Sequence, residues 1–372
     1  MRDAFDQIIV GLGGMGSAAA YHLASRGQRV LGIDQFSPPH ERGSSHGASR
    51  IIRLAYYEHP SYVPLLRRSY ELWRQLERES GNALLRITGS LDASAPDGRI
   101  FAGSLASCRE HGLEHEVLTS AQISARFPGY QLPDGFMGVF QPEGGMLDPE
   151  RCVAAHLRLA EQRGATIRRD EEVLEVSANS VRTAKGVYSA PRVVISAGSW
   201  AARIAGLDGL AVPERQVVGW FATDRADAFA PERFPVFNID VEEGHYYGFP
   251  LDADGVKIGR YHHRGETVDP ASYDRAIHPE DEAALRPFMT RYLPRASGKM
   301  VKAQTCLFTN SPDEHFIIDR SRDSASVIVA AGFSGHGFKF CSVVGEILAD
   351  LAMRGETGHH IDLFRLSRFY IA

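Results

Sequence analysis

The chain has 372 residues, 44% hydrophobic and 23% charged, a length that suits two domains and a composition that excludes disorder, collagen-like sequence and a disulfide scaffold. A formal net charge of -5 leaves no broad basic face, so neither nucleic acid nor an anionic membrane is an expected partner. No apolar run approaches the roughly 18 residues of a membrane span, and Asp3 ahead of the short apolar run Ile8 to Gly14 lacks the basic start and cleavage site of a signal peptide.

Phe5 to Val10 is predicted as a buried strand from its β-branched run, Ser17 to Arg26 as a small-residue helix, and Gln28 to Asp34 as a second strand: a βαβ opening. From Pro64 onward Leu66, Tyr70, Trp73 and Leu76 recur at helical spacing, which predicts a helix covering a core with one face. Gly89 to Gly145, rich in Gly, Pro and short mixed runs, reads as an excursion into a second domain. Leu157 to Arg163 then reads as helix, and Thr166 to Arg168, Glu172 to Val176 and Arg192 to Ser196 as strands, with the first domain resuming. A second excursion from about Val212 to Asn310 carries Trp220, Tyr246 and Tyr247 on strand-like runs. Val327 to Ala331 returns as a buried strand, and Val343, Val344, Ile347, Leu348 and Leu351 mark a closing helix.

The expected fold is α/β (α+β overall), a Rossmann-like dinucleotide domain interwoven with a smaller substrate domain on a mixed or antiparallel sheet. Residues 1–86, 148–213 and 312–372 are assigned to the former, and 87–147 and 214–311 to the latter.

The strongest local signal is Gly11-Leu12-Gly13-Gly14-Met15-Gly16, directly after a strand and before a helix, with Asp34 ending the next strand 23 residues after Gly11. The glycines permit a tight turn, close approach of a pyrophosphate and helix–strand packing; the helix N-terminus favours the phosphate charge, and Asp34 can accept ribose hydroxyls. Cys108, Cys152, Cys306 and Cys341 are too scattered for a zinc or redox site, and the 15 histidines fall into no ligand spacing, so no metal is expected.

FAD and NAD share this fingerprint, and three further segments decide between them: residues 43–53 (GSSHGASRIIR), 195–200 (ISAGSW) and 332–339 (GFSGHGFK). Together with 311–319 (SPDEHFIID) and 364–369 (FRLSRF) they resemble the monomeric sarcosine oxidase family, which includes N-methyltryptophan and pipecolate oxidases. The resemblance runs from Ile8 to Phe369. It implies FAD attached covalently through a cysteine, oxidation of an N-alkyl or cyclic amino acid to an imine, and reoxidation by dioxygen to hydrogen peroxide.

Carried over position by position, the resemblance implies that Cys306 attaches the flavin and that Arg53 and Lys339 hold the substrate carboxylate. Lys257 stands where the family activates oxygen, and Arg50 and His46 lie by the flavin ring. Tyr247 is a pocket tyrosine. Either His262 or His263 is the pocket histidine; His262 is favoured because it follows a tyrosine. Gly43, Ser44, Val173, Ala197 and Gly198, with the glycine turn, contact the dinucleotide, and Gly335, His336 and Gly337 present backbone amides to the flavin. Two departures stand out: Phe308 replaces a tyrosine of relatives, and Ser45 replaces a histidine of the sarcosine oxidases. Phe308 leaves a more apolar pocket, which points to bulkier secondary amino acids rather than sarcosine.

The alternatives are a flavin-dependent amino acid dehydrogenase that passes electrons to a carrier or quinone, and a non-catalytic dinucleotide-binding protein. The cations Arg50, Arg53, Lys257 and Lys339 argue against the last. The expected partners are a small amino acid and dioxygen, and the expected state is a monomeric cytoplasmic protein; the tail Phe369 to Ala372 does not resemble a peroxisomal address.

Overall fold

Two large sheets organise the chain in the computed structural model, which describes residues 5–370. The targeting readings at Asp3 and at Ile371-Ala372 lie outside the described residues. The first sheet has six strands in the spatial order Ile317–Arg320, Val327–Ala331, Arg192–Ile195, Gln7–Val10, Val30–Ile33, Thr166–Arg168. All pairs are parallel except the outermost, Ile317–Arg320 with Val327–Ala331. Its inner strands are buried on both faces, which is why they read as continuous apolar runs rather than alternations.

One face packs the helices Gly14–Ser25, Pro149–Gln162 and Cys341–Arg354. The other packs the antiparallel strands Val173–Ser177, Ser180–Thr183 and Gly186–Ser189. The helix anticipated from Leu157 begins at Pro149, where the Asp148 carboxylate accepts the Arg151 N–H at the N-cap. The helix from Val63 to Ser80 buries Val63, Leu66, Ser69, Leu72, Trp73 and Leu76 on one face and stops at Gly81, at φ 69°.

The second sheet has eight strands, in the order Met300–Asn310, Val212–Phe221, Val256–Arg260, Gly244–Leu251, Val236–Val241, Ser90–Ser94, Met137–Gln141, Glu116–Thr119. It is antiparallel but for one parallel pair, Val236–Val241 beside Ser90–Ser94. Leu91, Phe237, Ile239, Val256 and Ile258 turn one face into an aromatic-rich core against the helix Pro279–Tyr292. That helix, and Arg99–His111 within the first excursion, were not anticipated: polar residues and Pro287 obscure the period in one, small residues in the other.

Candidate active site

The strand Gln7–Val10 ends at Gly11, whose φ is +87°; a Cβ there would stand 2.6 Å from the Ser196 carbonyl oxygen, so only glycine fits. A Cβ on Gly16 would collide with the Gly11 carbonyl, so this glycine lets helix and turn touch. No side chain of the N-cap residue Gly13 caps the following helix; the Gly14 N–H donates to Ser45 Oγ at 3.0 Å, and the first intrahelical bond starts at Ser17. The N–H groups of Met15 and Gly16 therefore have no intrahelical acceptor, at the positive end of the helix dipole. Asp34 accepts the N–H groups of Leu12 at 2.7 Å and Phe36 at 2.9 Å, which fixes its carboxylate beside the turn.

Gly11, Gly13, Gly14, Met15 and Asp34 line a cavity of about 1350 Å³. Gly43, Ser44, Val173, Ala197, Gly198 and Gly337 line it too. A second cavity of about 640 Å³ adjoins it, and Arg50, Cys306, Phe308, Gly335 and Phe338 line both.

The second cavity is roofed by the face of the eight-stranded sheet opposite its aromatic core. Strand register places Asp92, Asn238, Tyr247, Gly259, Val218 and Gln304 side by side across six strands. Asn238, Tyr247, Val218 and Gln304 reach the cavity. Gly259 leaves room for the Tyr247 ring, which a Cβ would strike.

Side chains alternate along a strand, so Lys257, Gly259 and, just past the strand end, Tyr261 share one face. Tyr261 lines the cavity with its ring 5.5 Å from Phe308 and 5.4 Å from Tyr247, stacked at 4.3 Å on His245. Burial lowers His245 to about 3, so this stack is with a neutral ring.

At one end of this cavity lies a buried charge cluster. Arg53 is 1% exposed, and its Nη2 donates to both Glu58 carboxylate oxygens at 3.0 and 2.9 Å. Its Nη1 donates to the Ala55 carbonyl and stands 3.5 Å from Asp92. Burial alone would raise the Glu58 carboxyl, but Arg53, with His336 and Lys339, holds it down at about 2. Burial raises Asp92, against the pull of Arg53. Lys339 donates to the His336 carbonyl at 2.8 Å; burial, then the neighbouring Arg53, lowers it to about 7.

Cys306 lies on the strand Met300–Asn310 opposite Gln216. Burial raises its thiol, while Arg50 and Lys257 favour the thiolate. Arg50 donates to the carbonyls of Ser49 and Ser44. His46 is buried on the cavity wall, neither ring nitrogen has a protein partner among the described residues, and burial with Arg50 lowers it to about 3.

The structure gathers the sequence-named residues around the two cavities, with three exceptions. Gly16 packs behind the turn. Lys257 opens onto neither cavity: its buried Nζ donates to the carbonyls of Gly47 and Ser49 and to Ser49 Oγ, one backbone layer behind the wall residue Gly47. Burial, then Arg50, pushes Lys257 well below the usual lysine range.

The third is His262. It sits outside the cavity at φ +56°, 45% exposed in its side chain, between Glu214 at 2.9 Å and Glu314 at 3.0 Å. Hydrogen bonds from its ring to Glu214 and Glu314 raise it to about 10. His263 points away to Asp281 at 3.0 Å. The position expected for a pocket histidine is thus held by Tyr261, because the two-residue period from Lys257 reaches Tyr261 and the chain then turns. Counting that period through Arg260 would have found it. Glu58, Asp92, Asn238 and Gln304 were also missed.

The chain matches the family described as FAD dependent oxidoreductase over residues 6–351. It is 43% identical to a monomeric sarcosine oxidase of Bacillus sp. (strain NS-129), over 99% of this chain and 98% of that one. It is 34% identical to an N-methyl-L-tryptophan oxidase of Yersinia pestis (strain Pestoides F), over 98% and 99%. Among solved structures it resembles NikD, described as an unusual amino acid oxidase essential for nikkomycin biosynthesis, at 26% identity and a TM-score of 0.83, over 97% of each chain.

Proposed function

The chain belongs to the family of FAD dependent oxidoreductases, and from that premise we propose that it oxidises a secondary-amine amino acid, N-methylated or cyclic, to the imine. The substrate loses two hydrogens across its Cα–N or N-alkyl C–N bond, and dioxygen takes up both to become hydrogen peroxide. The observation that carries this reading is the meeting of the two cavities at Arg50, Cys306, Phe308, Gly335 and Phe338, one glycine-walled at a helix N-terminus, the other aromatic with Arg53 and Lys339 at one end.

The residues present fit FAD. The Met15 and Gly16 N–H groups at the helix N-terminus have no intrahelical acceptor, Gly11 admits close approach, and Asp34 is fixed beside the turn. FAD, when bound, accepts two electrons from the substrate and delivers them to dioxygen. The turn, Ser44, Val173, Ala197 and Gly198 would hold its dinucleotide portion, and Gly335 and Gly337 would face its ring. Cys306, with Arg50 and Lys257 favouring its thiolate, would supply the covalent link.

The protein's own groups divide the remaining work. Arg53, whose Nε is its one nitrogen without a protein partner among the described residues, and the Lys339 ammonium bind and orient the carboxylate and leave the amine free. Tyr247, Tyr261 and Phe308 exclude water and pack the substrate's alkyl portion. Lys257, donating to three acceptors one backbone layer behind Gly47, favours negative charge developing on oxygen when it is in its ammonium form. A monomeric cytoplasmic enzyme completes the reading, and no described helix is long and apolar enough to cross a membrane.

Anaerobic mixing of the yellow protein with a panel of N-methyl and cyclic amino acids tests this. Bleaching by at least one of them, reversed on admitting air, is expected; a spectrum unmoved by every member overturns the proposal.

A further inference from the structure

Asn238 sits at the middle of the strand Val236–Val241, between Tyr247 on one neighbouring strand and Asp92 on the other. It is 3% exposed and lines the second cavity. Its Nδ2 donates to Asp92 Oδ1 at 2.8 Å. The other Asp92 oxygen accepts from Ser104 Oγ at 2.6 Å and lies 3.5 Å from the Arg53 guanidinium. Both Asp92 oxygens act as acceptors, one from Asn238 and one from Ser104, with the guanidinium alongside, so Asp92 offers the amide no donor.

The amide of Asn238 is therefore oriented by its neighbour. It must turn its NH₂ toward Asp92 and its carbonyl away. No protein donor among the described residues reaches Asn238 Oδ1, and this oxygen is not among the fully occluded atoms. It is an acceptor facing the cavity, in a wall it shares with the aromatic rings of Tyr247, Phe249, Tyr261 and Phe308. Asp92 is the shared partner of Arg53 and Asn238, so this acceptor lies at the same end as the guanidinium. Gln304, the other amide of the roof, lies four strands away in the ladder, roughly 19 Å at the usual strand spacing.

We propose that Asn238 determines specificity, accepting a hydrogen bond from a hydroxyl or N–H on the substrate's side chain, close to Cα. This deepens the function proposed above and rests on it. The substrate class becomes a secondary-amine amino acid with a short donor-bearing side chain, such as an N-methyl β-hydroxy acid or a hydroxylated cyclic imino acid. A ligand anchored by its carboxylate at Arg53 places its β or γ substituent on the Asn238 side. An isosteric methyl in place of the donor leaves the oxygen desolvated and unpaired, which is where discrimination arises.

The test uses a matched pair on the holoenzyme, N-methylserine against N-methyl-2-aminobutyrate, which differ by hydroxyl against methyl. The hydroxyl member should have kcat/KM about ten-fold higher, mostly through KM. Asn238→Leu should bring the ratio close to one while still turning over N-methyl-2-aminobutyrate. Binding is read separately with 2-methoxy-3-hydroxypropionate and 2-methoxybutyrate, which have no amine to oxidise, by the rise in unfolding temperature of the holoenzyme. The hydroxy acid should protect wild type more, and the two should protect Asn238→Leu equally. A ratio near one in wild type by both readouts overturns the role of Asn238, as does an unchanged ratio in Asn238→Leu. Failure of both amino acids to react, with the methoxy pair still discriminated, instead refutes the proposed oxidation and leaves the acceptor in place.

Discussion

Replacing Arg53 by Met removes the counter-ion of two buried acids at once. Glu58 is held at about 2 against 4.5 for a free glutamate, which corresponds to roughly 3 kcal/mol of stability. A depressed carboxylate contributes fully above its unfolded value of 4.5, and the contribution is lost as the pH falls toward 2. In Arg53→Met the sign reverses. Burial raises both Glu58 and Asp92, so each additional unit of pH charges a carboxylate that has no cation, and stability falls as pH rises. Breaking a buried pair from one side costs about 3–5 kcal/mol.

Urea unfolding of wild type, Arg53→Met and Arg53→Met/Glu58→Gln between about pH 5 and 8 resolves this. The single variant should lose about 3–5 kcal/mol at neutral pH, with a loss that grows with pH. The double variant should recover most of the Glu58 share. Both should show a KM for N-methyl amino acids raised about 10-fold or more, since the neutral glutamine restores the fold but not the carboxylate site. An Arg53→Met protein within about 1 kcal/mol of wild type at neutral pH refutes the charge balance described here.

Acid precipitation of the wild-type protein should carry the yellow colour into the pellet, and Cys306→Ala should release it; free flavin from wild type argues against the link. Lys257→Met should slow reaction of the reduced protein with oxygen far more than reduction by substrate, and equal effects on both would remove its electrostatic role. His262→Gln should leave kcat within about two-fold, because the ring stands outside the cavity. Since hydrogen bonds to Glu214 and Glu314 raise His262 from 6.5 to about 10, wild-type stability contributed by this ring is complete below 6.5 and lost as pH rises through 10. His262→Gln should flatten that loss in a thermal unfolding series. Among substrates, pipecolate and N-methyltryptophan should outperform sarcosine, as the apolar Phe308 wall requires; a clear preference for sarcosine would count against it.

The first sheet was legible because its signals are local. A β-branched run, a glycine turn and an acidic residue at the next strand end lie within Gln7 to Asp34 and need no long-range information. The second sheet was legible only as strand-like runs. Its cavity wall is a row of residues from six strands, and nothing in the spacing of Asp92, Asn238 and Gln304 says that they are neighbours. The same limit hid Glu58 and Asp92: strand pairing and the turn after Arg53 supply that residue's counter-charges. At Tyr261 the information was present but outweighed, since the resemblance asked for a histidine while the two-residue period placed a tyrosine. Ser45, read only as a departure, takes the Gly14 N–H at the start of the helix.

Oxygen uptake and peroxide release, measured together on the holoenzyme with N-methyl and cyclic amino acids, test the central claim most directly. The proposed function predicts one peroxide per oxygen consumed, and little reaction with amines that lack the carboxylate that Arg53 and Lys339 are proposed to hold. Bleaching by these substrates with no oxygen uptake, relieved only by a quinone or dye acceptor, would contradict the claim and assign the chain to the dehydrogenases.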